Sequence, residues 1–341
     1  MSWKHPPEIC QWDITKNCNL RCSHCRALEL RKIKKDLDLE TVKSILGQLI
    51  LLSPKAILVL AGGEPLARKD LKQILFWYNK KSDFAHIEIL SNGILINEDN
   101  IKWLKGTVRG FNISLEGADE KINDAIRGKG SFKKTLKGIS ILTKNDLPVR
   151  VRMTFMDQKE EDVEKLMRFL PEIGVEAFNF RHVVPVGQAQ GMQVSSLQYK
   201  KLSEKIWSLG KDLGLKVGFS DPFPEILVNK DLQEQLKNHA GLKSGETVGG
   251  CSAGFSLLYI DPEGIVRVCP YFPLRVSDAK KIPLEKIWFK NKILERIRWM
   301  RSSLEGKCGS CQYKFACGGC RGAALATGNI FGEDPRCWNA I

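Results

Sequence analysis

The sequence predicts an α/β protein, a run of βα units followed by a small cysteine-rich domain. Three observations carry that reading. From residue 9 to about 220, short apolar stretches alternate with longer amphipathic ones. The 11 cysteines fall into one group near the start and another from Cys251 onward, with none between. The chain of 341 residues is 43% hydrophobic, enough for a large core.

Candidate strands are Ile9–Ile14, Ala56–Leu60, His86–Leu90, Gly110–Ser114, Val149–Phe155 and Glu176–Phe180. Between them lie candidate helices Leu39–Leu51, Leu71–Lys81, Asn97–Leu104, Phe132–Thr143 and Glu160–Leu170. Repeated βα units predict a parallel sheet with right-handed crossovers. Six units are fewer than the eight that close a full barrel. Residues 188–250 hold one long helix candidate, Ser195–Leu213, and a polar Gly-rich stretch, Gly241–Gly250, that reads as a bridge. Beyond it, Leu257–Ile260 and Ile265–Val268 read as a hairpin turned by Asp261-Pro262-Glu263-Gly264.

The net charge of +14 admits a polyanionic partner, but Lys and Arg are spread along the chain and no nucleic-acid-binding motif is present. The densest basic run, Arg31–Lys35, reads as a solvated loop. There is no signal-peptide pattern, and the most apolar region, Ile45–Leu60, is cut by Pro54 and Lys55, so no membrane span is expected. A cytoplasmic protein follows, in which clustered cysteines point to metal or cluster ligands rather than disulfides.

Cys18, Cys22 and Cys25 form C-x3-C-x2-C on a loop after the first strand. Three thiols without a nearby fourth suit an iron–sulfur cube that leaves one iron open to a small molecule. Half of a zinc site is the competing reading, although zinc wants four ligands. The second group runs Cys251, Cys269, Cys308-x2-Cys311-x5-Cys317-x2-Cys320, then Cys337. Its intervals do not fit a zinc ribbon, and the remaining Cys10 lies inside the first strand, where it reads as buried structure.

The triplet resembles the signature of the radical S-adenosylmethionine (SAM) superfamily, with His24 at the aromatic-type position before its last cysteine. That resemblance implies a partial (β/α)6 TIM-like barrel and a [4Fe–4S] cluster whose open iron chelates SAM. Reductive cleavage to a 5′-deoxyadenosyl radical would then remove hydrogen from a substrate. Gly62-Gly63-Glu64-Pro65 follows the second strand, where the family binds the SAM amino group. By the same resemblance Asn92, Ser114, Glu116 and Arg127 are candidate SAM contacts. Arg181 and His182, at the end of the sixth strand, are candidate contacts to SAM or substrate.

The second cysteine group resembles the SPASM extension that binds auxiliary [4Fe–4S] clusters. Cys317 and Cys320 are one residue closer than in that pattern. By resemblance Cys308, Cys311, Cys317 and Cys337 hold one auxiliary cluster. Cys251, Cys269 and Cys320 hold another, whose fourth ligand is a non-cysteine group or the substrate. The expected division is a barrel over 1–220, a bridge over 221–250 and a SPASM domain over 251–341. A flavodoxin- or ferredoxin-type electron donor is implied.

Such enzymes mostly modify ribosomally made peptides, and a peptide or protein substrate is the leading expectation. The chain reaches its first strand after about eight residues, so a leader would be held by a separate protein or be absent. Where sulfatase-maturing relatives carry an acidic base stand Pro270 and Tyr271. The alternative is a carboxylated tetrapyrrole of haem biosynthesis or another small molecule. It is favoured by Cys25-Arg26-Ala27, which resembles haem-tailoring members, and by the basic charge. A zinc-bound nucleic-acid- or protein-binding module is the distant alternative.

Overall fold

The computed structural model describes residues 3–192, 195–237 and 250–339. Of the expected bridge, residues 238–249, with most of the Gly-rich stretch, lie outside the described residues.

Ten strands form one sheet. The first seven are β1 (Ile9–Thr15), β2 (Ile57–Gly62), β3 (His86–Ser91), β4 (Gly110–Ser114), β5 (Val149–Phe155), β6 (Ala177–His182) and β7 (Lys216–Phe219). They pair in chain order, each parallel to the next. The late strands are β8 (Leu257–Ile260), β9 (Ile265–Cys269) and β10 (Phe272–Asp278). β8 pairs parallel with the other edge of β1, while β9 and β10 follow antiparallel. The cysteine-rich segment thus extends the sheet of the βα units. β7 was not expected: four residues, one of them Gly218, carry almost no periodic signal.

Alternation along the strands sorts the two faces of the sheet. Cys10, Trp12, Leu58, Leu60, Ile87, Ile89, Phe111, Val151, Phe178 and Phe180 are buried in the core under the helices. The intervening positions Gln11, Glu88, Asn112, Arg150, Arg152, Asn179 and Arg181 line an interior cavity. A closed eight-stranded barrel packs that interior with branched apolar side chains. Here the interior is polar and open.

Local sequence explains the helices that frame this cavity. Asp38 caps the helix Leu39–Leu52 by accepting from Thr41 N, and Val42, Ile45, Leu46 and Leu49 bury its inner stripe. The helix expected over Asn97–Leu104 forms only over Ile101–Leu104, because the Asn97 side chain accepts from the amides of Asp99 and Asn100 and closes a turn instead. Asp119 caps a helix Glu120–Arg127 that the charged sequence concealed, and Gly128, at φ +106°, ends it. In the β8–β9 turn, Asp261 Oδ1 accepts from Glu263 N and Ile265 N, and Gly264 takes φ +77°. Cys10 is fully buried, its thiol pushed up to about 12 by burial.

Candidate active site

The loop carrying Cys18, Cys22 and Cys25 leaves the C-terminal end of β1 and is held by the end of β2. Gly63 N donates to Thr15 O at 2.8 Å and Glu64 N to Asn17 O at 2.7 Å. A Cβ on Gly62 would stand 2.5 Å from Thr15 O, and one on Gly63 would stand 2.1 Å from Asn17 O. The paired glycines therefore let β2 close onto the thiol loop, a tighter demand than approach to a ligand. Pro65 opens the short 3-10 helix Pro65–Ala67 and shapes the turn.

Glu64 is buried, and its carboxylate accepts from Ser91 Oγ (2.8 Å), Asn92 N (2.8 Å) and Leu66 N (3.2 Å). Burial raises its pKa to about 7 against the pull of those hydrogen bonds. Asn92 Nδ2 donates to Asn19 Oδ1 at 2.8 Å, which ties the end of β3 to the thiol loop.

Glu116, fully buried, accepts from Arg127 Nη2 and Nε and from Thr154 N. Arg127 also reaches Cys22 Sγ at 3.8 Å, and His24 Nε2 lies 3.6 Å from Glu116 Oε1. Arg127, a candidate SAM contact, is already committed to Glu116. Burial lowers the pKa of His24, and among the described residues its Nδ1 is buried without a partner. Ser114, Asn92, Glu64, Gly62, Gly63, His24 and Arg127 line one cavity with Cys18, Cys22 and Cys25.

Of the basic side of this cavity, sequence reading named Arg181 as a candidate contact and missed Arg152 and the pairing of Arg26 with Asp13. Asp13, fully buried, accepts two hydrogen bonds from Arg26 (2.9 and 3.0 Å) and one from Tyr259 (2.7 Å). The Arg26 and Arg181 guanidinium carbons lie 5.5 and 4.1 Å from the centre of the Tyr271 ring. Arg152 completes the group, and the alternating Arg150 and Arg152 within β5 were a readable sign of a polar inner face. His182 points the other way: Nδ1 donates to Val183 O at 2.8 Å, and its ring packs on Phe155 and Tyr199. Burial and nearby Arg336 lower its pKa to about 4, so it is neutral and structural.

The later cysteines gather at two places. Cys308, Cys311, Cys317 and Cys337 line one cavity. Cys251, Cys269 and Cys320 line a second, which opens into the barrel interior beside Arg152, Arg181 and Tyr271. Asp221 braces both to the barrel, accepting from Arg336 (2.9 Å), Tyr199 (2.8 Å), His182 N (2.9 Å) and Arg181 (3.4 Å). Burial raises the pKa of Cys18, Cys22, Cys269, Cys317 and Cys337, so these thiols need bound metal to persist as thiolates. Among the described residues, no group of three or more His, Cys, Asp or Glu side chains is spaced to hold a single ion. A four-iron cube takes one thiolate per iron at separated corners, which suits these wider sets.

An incomplete parallel barrel with three thiols on the loop after β1, and a second thiol-rich segment on the same sheet, defines an iron–sulfur enzyme class. The chain carries a radical SAM superfamily domain, matched over residues 12–170, and a SPASM iron-sulfur cluster-binding domain, matched over residues 251–312. It is an enzyme that uses SAM and [4Fe–4S] clusters. It is 28% identical to the AdoMet-dependent heme synthase of Methanosarcina barkeri, over 97% of this chain and 96% of that protein. It is 27% identical to the mycofactocin maturase of Mycolicibacterium smegmatis, over 98% of this chain and 84% of that protein. Its fold matches that of Streptococcus suis SuiB bound to the precursor peptide SuiA, with a TM-score of 0.78 and 17% identity, over 98% of this chain and 77% of that one. Among the described residues, no helix is long and apolar enough to cross a membrane.

Proposed function

We propose that the chain tailors a carboxylated tetrapyrrole, in the manner named for its heme synthase relatives. The order of the two sequence expectations is thereby reversed. The observation that carries this reading is the cavity wall of Arg26, Arg152, Arg181 and Tyr271 between the two thiol groups. A polycarboxylate macrocycle fits a basic, aromatic-edged wall, and a relative matched end to end carries the heme synthase name.

In this proposal Cys18, Cys22 and Cys25 hold the SAM cluster. Cys308, Cys311, Cys317 and Cys337 hold one auxiliary cluster, and Cys251, Cys269 and Cys320 another. When bound, the reduced cluster and SAM together supply a 5′-deoxyadenosyl radical that abstracts hydrogen. The chain's own residues position the reactants. Glu64, fixed by Ser91 and Asn92, presents a carboxylate toward the SAM ammonium, and Ser114 lines the same cavity. Arg127, held by Glu116, reaches Cys22 directly. The sheet region over 1–220 would serve SAM and the 251–341 segment the auxiliary clusters, with electrons from a flavodoxin- or ferredoxin-type donor.

The test is anaerobic reconstitution, iron analysis, and incubation with SAM, dithionite and iron coproporphyrin. Three clusters predict about twelve irons per chain, falling to about eight in the Cys18/Cys22/Cys25→Ala variant, with SAM cleavage lost. The wild type should change the mass of the porphyrin side chains and form 5′-deoxyadenosine in proportion. Peptide maturation is the second reading, favoured by the match to mycofactocin maturase. An unaltered porphyrin beside a modified precursor peptide would install it instead.

A further inference from the structure

We propose that Arg152 and Arg181 are the substrate's carboxylate clamp, with Tyr271 stacked on Arg181 as one edge of the site. This rests on the tetrapyrrole reading and assigns residues to it.

The charges around the cavity are unequally matched. Arg26 is neutralised by Asp13 through two hydrogen bonds, and Arg336 by Asp334 and Asp221. Arg150 is half-exposed and reaches Glu88 at 3.9 Å and Asn112 at 3.3 Å. Among the described residues Arg181 has, as its one carboxylate partner, a 3.4 Å contact to the Asp221 that Arg336 already holds, and its Nε is buried without a hydrogen-bond partner. Arg152 donates to Ser220 Oγ at 3.2 Å, and among the described residues no carboxylate pairs with it. Arg181 is buried and Arg152 partly so; a guanidinium drawn from water without a counter-charge is unfavourable, and it cannot escape by losing its proton at neutral pH. Burial and the neighbouring Arg181, Arg26 and Arg150 lower the pKa of Arg152, but only to about 10. The site is therefore short of one anion.

Position says which anion. Arg152 and Arg181 share an inward face, paired in adjacent register on β5 and β6, where Arg152 stands opposite Asn179 and Thr154 opposite Arg181. Both line the cavity of Cys18, Cys22 and Cys25 and also the cavity that reaches Cys251, Cys269 and Cys320. A carboxylate held by their planar forks lies between the two thiol groups, where a substrate must lie to meet both. Glu64, Ser91 and Asn92, where SAM is proposed, gather instead at the C-terminal ends of β2 and β3.

The experiment is equilibrium dialysis of iron coproporphyrin, its tetra-amide and SAM, each separately, against the anaerobically reconstituted enzyme and its Arg152→Gln and Arg152→Lys variants, at matched iron content. Arg152→Gln should weaken coproporphyrin binding about tenfold or more and abolish the preference of the wild type for acid over amide. Arg152→Lys should recover part of both, and SAM affinity should stay within about twofold of wild type by comparison. Should the Gln variant not load iron, Arg152→Lys carries the same test, since it keeps the charge and loses the fork. Equal coproporphyrin affinity in wild type and Arg152→Gln overturns the clamp and leaves the tetrapyrrole reading intact. An equal loss of SAM binding overturns it too, by assigning Arg152 to the SAM carboxylate. If the wild type binds no coproporphyrin, the tetrapyrrole reading falls and the clamp with it.

Discussion

Replacing Asp221 with Asn should loosen the junction between the βα sheet and the C-terminal thiol segment. The Asp221 side chain is fully buried and accepts from Arg336, Arg181, Tyr199 and the His182 amide. Asn keeps the shape and one acceptor oxygen but removes the charge that two guanidinium groups share. Breaking a buried, hydrogen-bonded ion pair from one side costs about 3–5 kcal/mol, and the lower end applies because Arg336 keeps Asp334. The titration of Asp221 gives a similar size. Arg336 and Arg181 hold its pKa at about 2, against 3.8 for the free group, despite burial that opposes ionisation. At about 1.4 kcal/mol per unit, that difference is worth about 2 kcal/mol. Because the folded pKa is depressed, this stability is fully present above pH 3.8 and is lost as the pH falls through about 2. The assay is urea unfolding of reconstituted wild type and Asp221→Asn at neutral pH, then of the metal-free proteins down a pH series to 2.5. The variant should be less stable by about 3 kcal/mol at neutral pH, and the gap should narrow below pH 3.8. Equal midpoints at neutral pH, or a gap that widens as acid is added, would refute the reasoning.

Gly63→Ala places a methyl group 2.1 Å from the Asn17 carbonyl, with backbone on both sides of the clash. The thiol loop must shift, and iron analysis should show about four irons lost per chain while the remainder is retained. Glu116→Gln takes the counter-charge from buried Arg127 and leaves it against Cys22 alone. We expect about 2–3 kcal/mol of destabilisation and faster iron release from the first site under a chelator, followed by the decay of visible absorbance.

The strands were legible where alternation was clean. Gly110–Ser114 and Val149–Phe155 form at their expected bounds. Cysteine spacing located both thiol groups, because ligands on one loop must be close in sequence. What escaped notice depends on contacts between distant elements. Asp13 and Tyr259 are 246 positions apart and Asp221 and Arg336 are 115 apart, and no local pattern announces either pair. Arg127, a candidate SAM contact by resemblance, carries no sequence sign of its ion pair. Its partner Glu116 is 11 residues away, but the pair forms only because the intervening helix Glu120–Arg127 turns the chain back. The Gly62-Gly63 pair answers to a second demand. Glycine suggested room for a ligand, whereas the neighbour that forbids a side chain is the thiol loop's own backbone.

Asp13 shows how the fold can keep two cluster-bearing segments in register although the polypeptide between them is long. β1 runs directly into the first thiol loop and pairs along one edge with β8, the first strand of the second thiol-rich segment. On that strand the single carboxylate of Asp13 receives Arg26, one residue beyond Cys25, and Tyr259, ten residues before Cys269. Arg26 in turn stacks toward Tyr271, two residues beyond Cys269. The distance between the first thiol group and the interior-facing auxiliary group is thus fixed by a short buried network. Residues 238–249 need not set it. Under the proposed function a rigid spacing would matter, because hydrogen abstraction and removal of the resulting electron would require one substrate to be held against both ends. A polar barrel interior follows from the same demand. An apolar filling would give a more stable barrel, but it would occupy the volume in which the substrate has to span the two groups.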